Sequence, residues 1–126
     1  MKVFISGPMT GIDDYNRPLF NEAEKKLREM GYDVFNPAWM QFGDEWDKND
    51  IMAIDLMALS RCEAICHLTL WTFSKGAILE NHVADYADKI HLGYADGEIV
   101  DFGKNYITSK LTVEDMKKGV NIHDKN

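Results

Sequence analysis

WTFSKGAILENHVADYADKI, residues 71–90, is the stretch whose reading decides the fold. It opens on a polar, glycine-containing turn, Ser74-Lys75-Gly76, and continues as a helix. At helical spacing Gly76, Glu80, Val83, Ala87 and Ile90 fall on one face. Apart from Glu80 that face is apolar or small. A carboxylate there is costly unless it has a buried partner or takes part in chemistry. The competing explanation is structural: a Glu near a helix start serves the dipole or a cap.

Upstream, AICHLTL (64–70) is a continuous apolar run, which suits a central strand of a parallel sheet. His67 inside it is expected to be a hydrogen-bonded core residue. The preceding helix runs from about Asp47 to Leu59. Met52, Leu59 and Cys62 share a stripe, and Asp55 lies in it as a second acid on an apolar face. Asp47 and Asp50 sit in the first turn, where a cap or the dipole accounts for them. At the start of the chain KVFIS (2–6) reads as a buried strand stopped by Gly7-Pro8. The loop Ser6-Gly7-Pro8-Met9-Thr10-Gly11 offers exposed amides, but no Gly-Lys-Ser/Thr follows, so it is not a Walker A loop.

A helix is expected from Arg17 to Met30, capped by Asn16 or Asp14, with Phe20, Ala23, Leu27 and Met30 as its stripe and Gly31 as its stop. Tyr32 to Asn36 is a second strand, ended by Pro37. The loop AWMQFGDEW (38–46) either folds onto the core or walls a pocket for a flat ring. Beyond the opening stretch, Lys89–Tyr94 is a fourth strand. Ala95-Asp96-Gly97 is a turn from which Glu98–Phe102 returns as a hairpin. Thr112-x-x-Asp115 has the form of a capping box for a short last helix.

The element order predicts an α/β fold: a single-domain three-layer sandwich with a mostly parallel sheet of four or five strands and helices on both faces, flavodoxin- or Rossmann-like. Residues 1–126 read as one domain, with a core over 1–92 and an extension over 93–126. Right-handed crossovers put all parallel strand ends on one edge. The glycine loop, the aromatic loop and the Ser74 turn leave from that edge, and the Glu80 helix opens there. Such an edge makes a pocket for a small, ring-bearing ligand with an anion.

With 126 residues, 45% hydrophobic and 28% charged, the composition is that of one globular domain. The net charge of −7 argues against a grip on a nucleic-acid polymer. No apolar run approaches the length of a membrane span, and MKVFISGPM is too short in its apolar part for a signal peptide. Cys62 and Cys66 are the only cysteines, and both are expected to be reduced and buried in a cytoplasmic protein. No His/Asp/Cys cluster has ligand spacing, so neither metal nor cofactor is expected.

Ser6-Gly7-Pro8-Met9-Thr10-Gly11, Asp14-Tyr15-Asn16-Arg17, Asn36-Pro37, Asp55 and Trp71-x-x-Ser74-x-Gly76-Ala77-x-x-Glu80 together resemble the nucleoside 2-deoxyribosyltransferase-like superfamily, most of all its small bacterial and phage members. The resemblance covers residues 1 to 92. It implies that Glu80 is a nucleophile attacking C1′ of a nucleoside or nucleotide, and that Asp55 works near sugar and base and helps protonate the leaving base. Ser6, Gly7, Pro8, Met9, Asn16, Trp71, Ser74 and Gly76 take substrate-binding positions. Classical transferases carry an aspartate where Ser74 stands; relatives that cleave nucleoside monophosphates carry a serine. The resemblance therefore implies an N-glycosidase or 2-deoxyribosyltransferase favouring a 5′-monophosphate and working as a homodimer or larger homo-oligomer. The alternative is a module that binds or senses a nucleotide-derived ligand without turnover.

Overall fold

The computed structural model describes residues 1–104. Five strands form one sheet: β1 (Lys2–Ser6), β2 (Asp33–Phe35), β3 (Ala64–Leu68), β4 (Ile90–Ala95) and β5 (Glu98–Gly103). Their spatial order is β2-β1-β3-β4-β5, parallel except for β5, which pairs antiparallel with β4. This is the 2-1-3-4-5 order of flavodoxin-like sheets, with an antiparallel strand at one edge. The hairpin turn is Asp96-Gly97, both at positive φ as a tight two-residue hairpin turn requires. The proposed capping box at Thr112 lies outside the described residues.

Among the described residues three α-helices cover the sheet: α1 (Arg17–Glu29), α2 (Lys48–Ser60) and α3 (Lys75–Tyr86). Alternation along the strands divides the core in two. Val3, Ile5, Cys66, Leu68, Leu92 and Tyr94 pack with Phe20, Ala23 and Leu27 of α1. Phe4 and Ile65 face the other way, onto Leu59 of α2 and Ala84 of α3. Every residue of β3 is buried, as expected of a strand covered on both faces. His67 is a core residue: its Nε2 lies 3.1 Å from Nδ1 of His91, both rings buried and stacked.

Local chemistry explains the helix ends. Gly31 (φ +91°) closes α1: its N–H reaches the Arg28 carbonyl while that of Tyr32 reaches Leu27, the paired bonds of a Schellman motif. Met30 is the residue before it and is exposed rather than part of the stripe. Asp47 caps α2 by accepting from the N–H groups of Asn49 and Asp50, and Asp50 reaches back to the Asp47 N–H, a reciprocal capping box. Asn16 does not cap α1. It sits at φ +62° and its Nδ2 donates to the Pro8 carbonyl at 2.8 Å, tying the turn before α1 to the loop after β1.

Gly7 is needed for a close approach. A Cβ there would stand 2.8 Å from Cβ of Leu68, so the loop after β1 lies directly on the end of β3. Gly7→Ala is expected to cost about 1–3 kcal/mol in denaturation experiments, because the obstacle is near the backbone and cannot swing away. An unchanged midpoint would contradict that contact.

Candidate functional site

In a sheet of this order the crossovers leave in opposite directions from β1 and β3, and the crevice between their C-terminal ends is the usual ligand site. Here a cavity of about 550 Å³ opens at that point. Gly7, Pro8 and Met9 line it from the loop after β1, Asp55 and Met52 from α2, and Ser74, Gly76 and Glu80 from the start of α3.

Glu80 is buried, 5% exposed, on the face of α3 that packs onto the sheet. The inward face of α3 is Ala77, Glu80, Asn81 and Ala84. That corrects the stripe expected from spacing: Ala87 follows the helix and is exposed, and Gly76 is only partly covered. The hydroxyl of Ser6, the last residue of β1, donates to Oε1 of Glu80 at 2.6 Å. Asp55 is buried at 7% exposure on α2, and its Oδ1 has no hydrogen-bond partner.

The two carboxyls act on each other. Burial pushes Glu80 upward, the Ser6 hydroxyl opposes this, and the neighbouring Asp55 adds to it by charge and hydrogen bond. Burial also raises Asp55, while the hydrogen bond with Glu80 holds it lower. Both carboxyls are thus pushed upward by burial, and the pair as a unit holds a shared proton to higher pH than two exposed acids would.

Ser74 begins α3, and its Oγ accepts the Ala77 N–H at 3.2 Å. Ser74 also lines the cavity. The amides of Lys75 and Gly76 lie in the first turn of the helix, whose carbonyl partners inside the helix do not exist.

Three expected binding residues stand outside the lining. Ser6 is 1% exposed and reaches the site only through its bond to Glu80. Asn16 supports the site by holding Pro8 in place. Trp71 is 1% exposed and packs with Ala77, Ala95 and Phe102, its ring 4.8 Å from that of His67. It is a large apolar side chain that anchors the short turn Trp71–Phe73, and that anchoring uses up its surface. The aromatic loop 38–46 does not wall the pocket either. Trp39 leans on Phe35 and donates from Nε1 to Glu24 Oε1, while Phe42 and Trp46 pair with each other. Apolar cover comes instead from Met9, Met52 and Phe73, the last 83% exposed at the cavity. Lys48 and Asn49, the first two residues of α2, also line it. Only the capped start of α2 hinted at these two, since a helix entered from the strand edge begins beside the crevice.

Comparison with known proteins agrees with this architecture. Residues 1–92 match the family described as Domain of unknown function (DUF4406), and the chain belongs to that family. Among solved structures it is similar to a 2-deoxyribosyltransferase from the psychrotolerant bacterium Bacillus psychrosaccharolyticus. The TM-score is 0.60 at 19% identity, over 74% of this chain and 71% of that one. It is also similar to a conserved protein from Enterococcus faecalis V583, with a TM-score of 0.61 at 17% identity. That likeness covers 76% of this chain and 64% of the other. No curated protein matches the sequence. The resemblance to the 2-deoxyribosyltransferase-like superfamily thus holds at the level of the fold. No helix among the described residues is long and apolar enough to cross a membrane, and no three of their His, Cys, Asp or Glu side chains gather as a metal site.

Proposed function

We propose that the protein cleaves the N-glycosidic bond of a nucleoside 5′-monophosphate through a glycosyl ester on Glu80. The observation that carries this reading is the buried carboxyl pair, Asp55 and Glu80, at one cavity over the switch point of the sheet. Burying two acids side by side is costly, and such an arrangement is typical of catalytic sites.

Entry of the sugar between the two acids moves the shared proton from Glu80 to Asp55. The Glu80 carboxylate, held by the Ser6 hydroxyl, then forms a bond to C1′ as the C1′–N bond breaks. The bonding pair leaves with the base nitrogen, and Asp55 supplies a proton to the base. A water molecule, deprotonated by the Asp55 carboxylate, next attacks C1′, and the ester bond breaks to restore the Glu80 carboxylate. In a transferase a second base takes the place of water. Ser74 and the amides at the start of α3 suit a phosphate, which an aspartate at position 74 would repel. Met9, Met52 and Phe73 offer apolar surface to the base. Neither metal nor cofactor enters these steps.

The same reading takes the enzyme to work in the cytoplasm, in keeping with its two free, buried thiols, and to assemble as a homo-oligomer. Tyr86 and Met57, 92% and 63% exposed, are apolar surface available for that contact.

A turnover screen tests the proposal. Purified protein is incubated with ribo- and deoxyribonucleoside 5′-monophosphates and the free nucleosides, with and without a second base, and released base is read by chromatography. Release from a monophosphate supports the reading. Thermal stabilisation by a nucleotide with no release from any substrate would replace it with a binding module.

Because both acids are raised, the reactive one-proton form spans higher pH than ordinary carboxylates allow. The rate is expected to fall on either side of near-neutral pH. Ser6→Ala removes the one hydrogen bond that favours ionised Glu80. It is expected to lower kcat by about 10-fold or more and to move the alkaline limb upward. A kcat loss with an unmoved limb would mean that Ser6 only packs.

A further inference from the structure

All three described α-helices begin with a cation: Arg17, Lys48 and Lys75. Positive charge at a helix start opposes the dipole, so each needs a compensating reason. Arg17 has one, in an ion pair with Asp14 at 2.9 Å and a seat over the Tyr15 ring. Lys48 and Lys75 have no ion-pair partner within 4 Å among the described residues. The nearest acid to Lys48 in sequence, Asp47, feels the lysine's charge but has its carboxylate engaged on two backbone amides. Both lysines line the same cavity, one from α2 and one from α3.

The floor of that cavity is acidic, and the chain as a whole carries −7. A ligand with a negative end needs local positive charge to enter. The floor also asks for a ligand: Asp55 Oδ1 is buried without a donor. The fitting molecule has hydroxyl or N–H donors at its inner end and an anion at its outer end.

We infer that Lys48 and Lys75 are the residues that select a phosphorylated over an unphosphorylated nucleoside, gripping the terminal phosphate from two walls of the cavity. This rests on the nucleotide reading above and adds the groups that determine it. Lysine suits the task, since its flexible ammonium meets a phosphate as a point charge. Lys48 comes from an element that carries no other proposed phosphate contact, so the preference is set by two helices jointly.

The test measures binding on a Glu80→Gln background, which removes turnover. Probes are 2′-deoxyadenosine and thymidine, each with and without its 5′-monophosphate, titrated by calorimetry at low salt and at 0.5 M salt, the latter about a 4 Å Debye length. The parent is expected to prefer the monophosphates by about 10-fold or more at low salt, and less at high salt. Lys48→Ala and Lys75→Ala are each expected to reduce that preference by roughly 3- to 10-fold, leaving nucleoside affinity unchanged. Lys48→Arg should retain most of it. Melting temperatures of both alanine variants should hold or rise, since a charge unfavourable to the helix dipole is removed. Equal losses for nucleoside and monophosphate, or an unchanged preference in Lys48→Ala, would overturn the inference while leaving the cleavage reading standing. Binding of none of the four probes by the parent would overturn the nucleotide reading and this inference with it.

Discussion

Glu80→Gln is expected to lower base release by about 10³-fold or more while the substrate still protects the fold against heat. Gln keeps the shape of Glu80 and can still accept the Ser6 hydroxyl, so the pocket survives. It cannot form an ester with C1′. The companion change Asp55→Asn is expected to behave differently. It removes the acid but keeps the nucleophile, and it also removes the charge that raises Glu80. Substrates whose base leaves readily without a proton should therefore lose much less rate in Asp55→Asn than in Glu80→Gln. Single-turnover assays with matched substrates separate the two. Equal losses across leaving groups in both variants would argue against distinct roles.

The second large effect is on stability, and its sign is opposite to that of most core substitutions. Glu80 is raised from its ordinary 4.5 to about 8, chiefly by burial. Its contribution to stability is therefore fully present below pH 4.5 and is lost as pH rises through about 8. Gln carries no such titration. Glu80→Gln should match the parent near pH 4.5 and exceed it by roughly 1–3 kcal/mol at pH 9, a few degrees in Tm for a chain of this size. Scanning calorimetry across that range measures the difference directly. A difference that stays constant with pH, or a variant less stable at pH 9, would mean that Glu80 is not held at the expense of the fold. The predicted trade is the usual one for active sites, where stability is given up for reactivity.

Much of this was legible in the chain because it is local. Continuous apolar runs at KVFIS and AICHL identify strands buried on both faces, Gly31 marks a helix stop, and Asp96-Gly97 marks a hairpin. Asp55 and Glu80 stand out as acids within apolar stripes. What could not be read depends on contacts distant in sequence. Asn16 looks like a cap by its neighbours, but its amide bonds the Pro8 carbonyl and its backbone is left-handed. The face of α3 is displaced by one position because the sheet, not the helix period alone, chooses which side chains are covered. Trp39, Phe42 and Trp46 find partners among α1, β2 and themselves, which leaves the cavity to Phe73. Lys48 owes its position at the cavity to the direction in which α2 is entered. The pairing of Ser6 with Glu80, 74 residues apart, is a product of the fold.

The most direct measurement is to trap the intermediate. The protein is incubated with a nucleoside 5′-monophosphate carrying a 2′-fluoro substituent, which slows breakdown of a glycosyl ester by destabilising positive charge on the sugar. Acid quench, digestion and mass spectrometry then locate any adduct. A fluorinated phosphopentosyl mass increment is expected on the peptide containing Glu80, absent from Glu80→Gln. Base release that proceeds without any such adduct and survives in Glu80→Gln would contradict a glycosyl ester on Glu80.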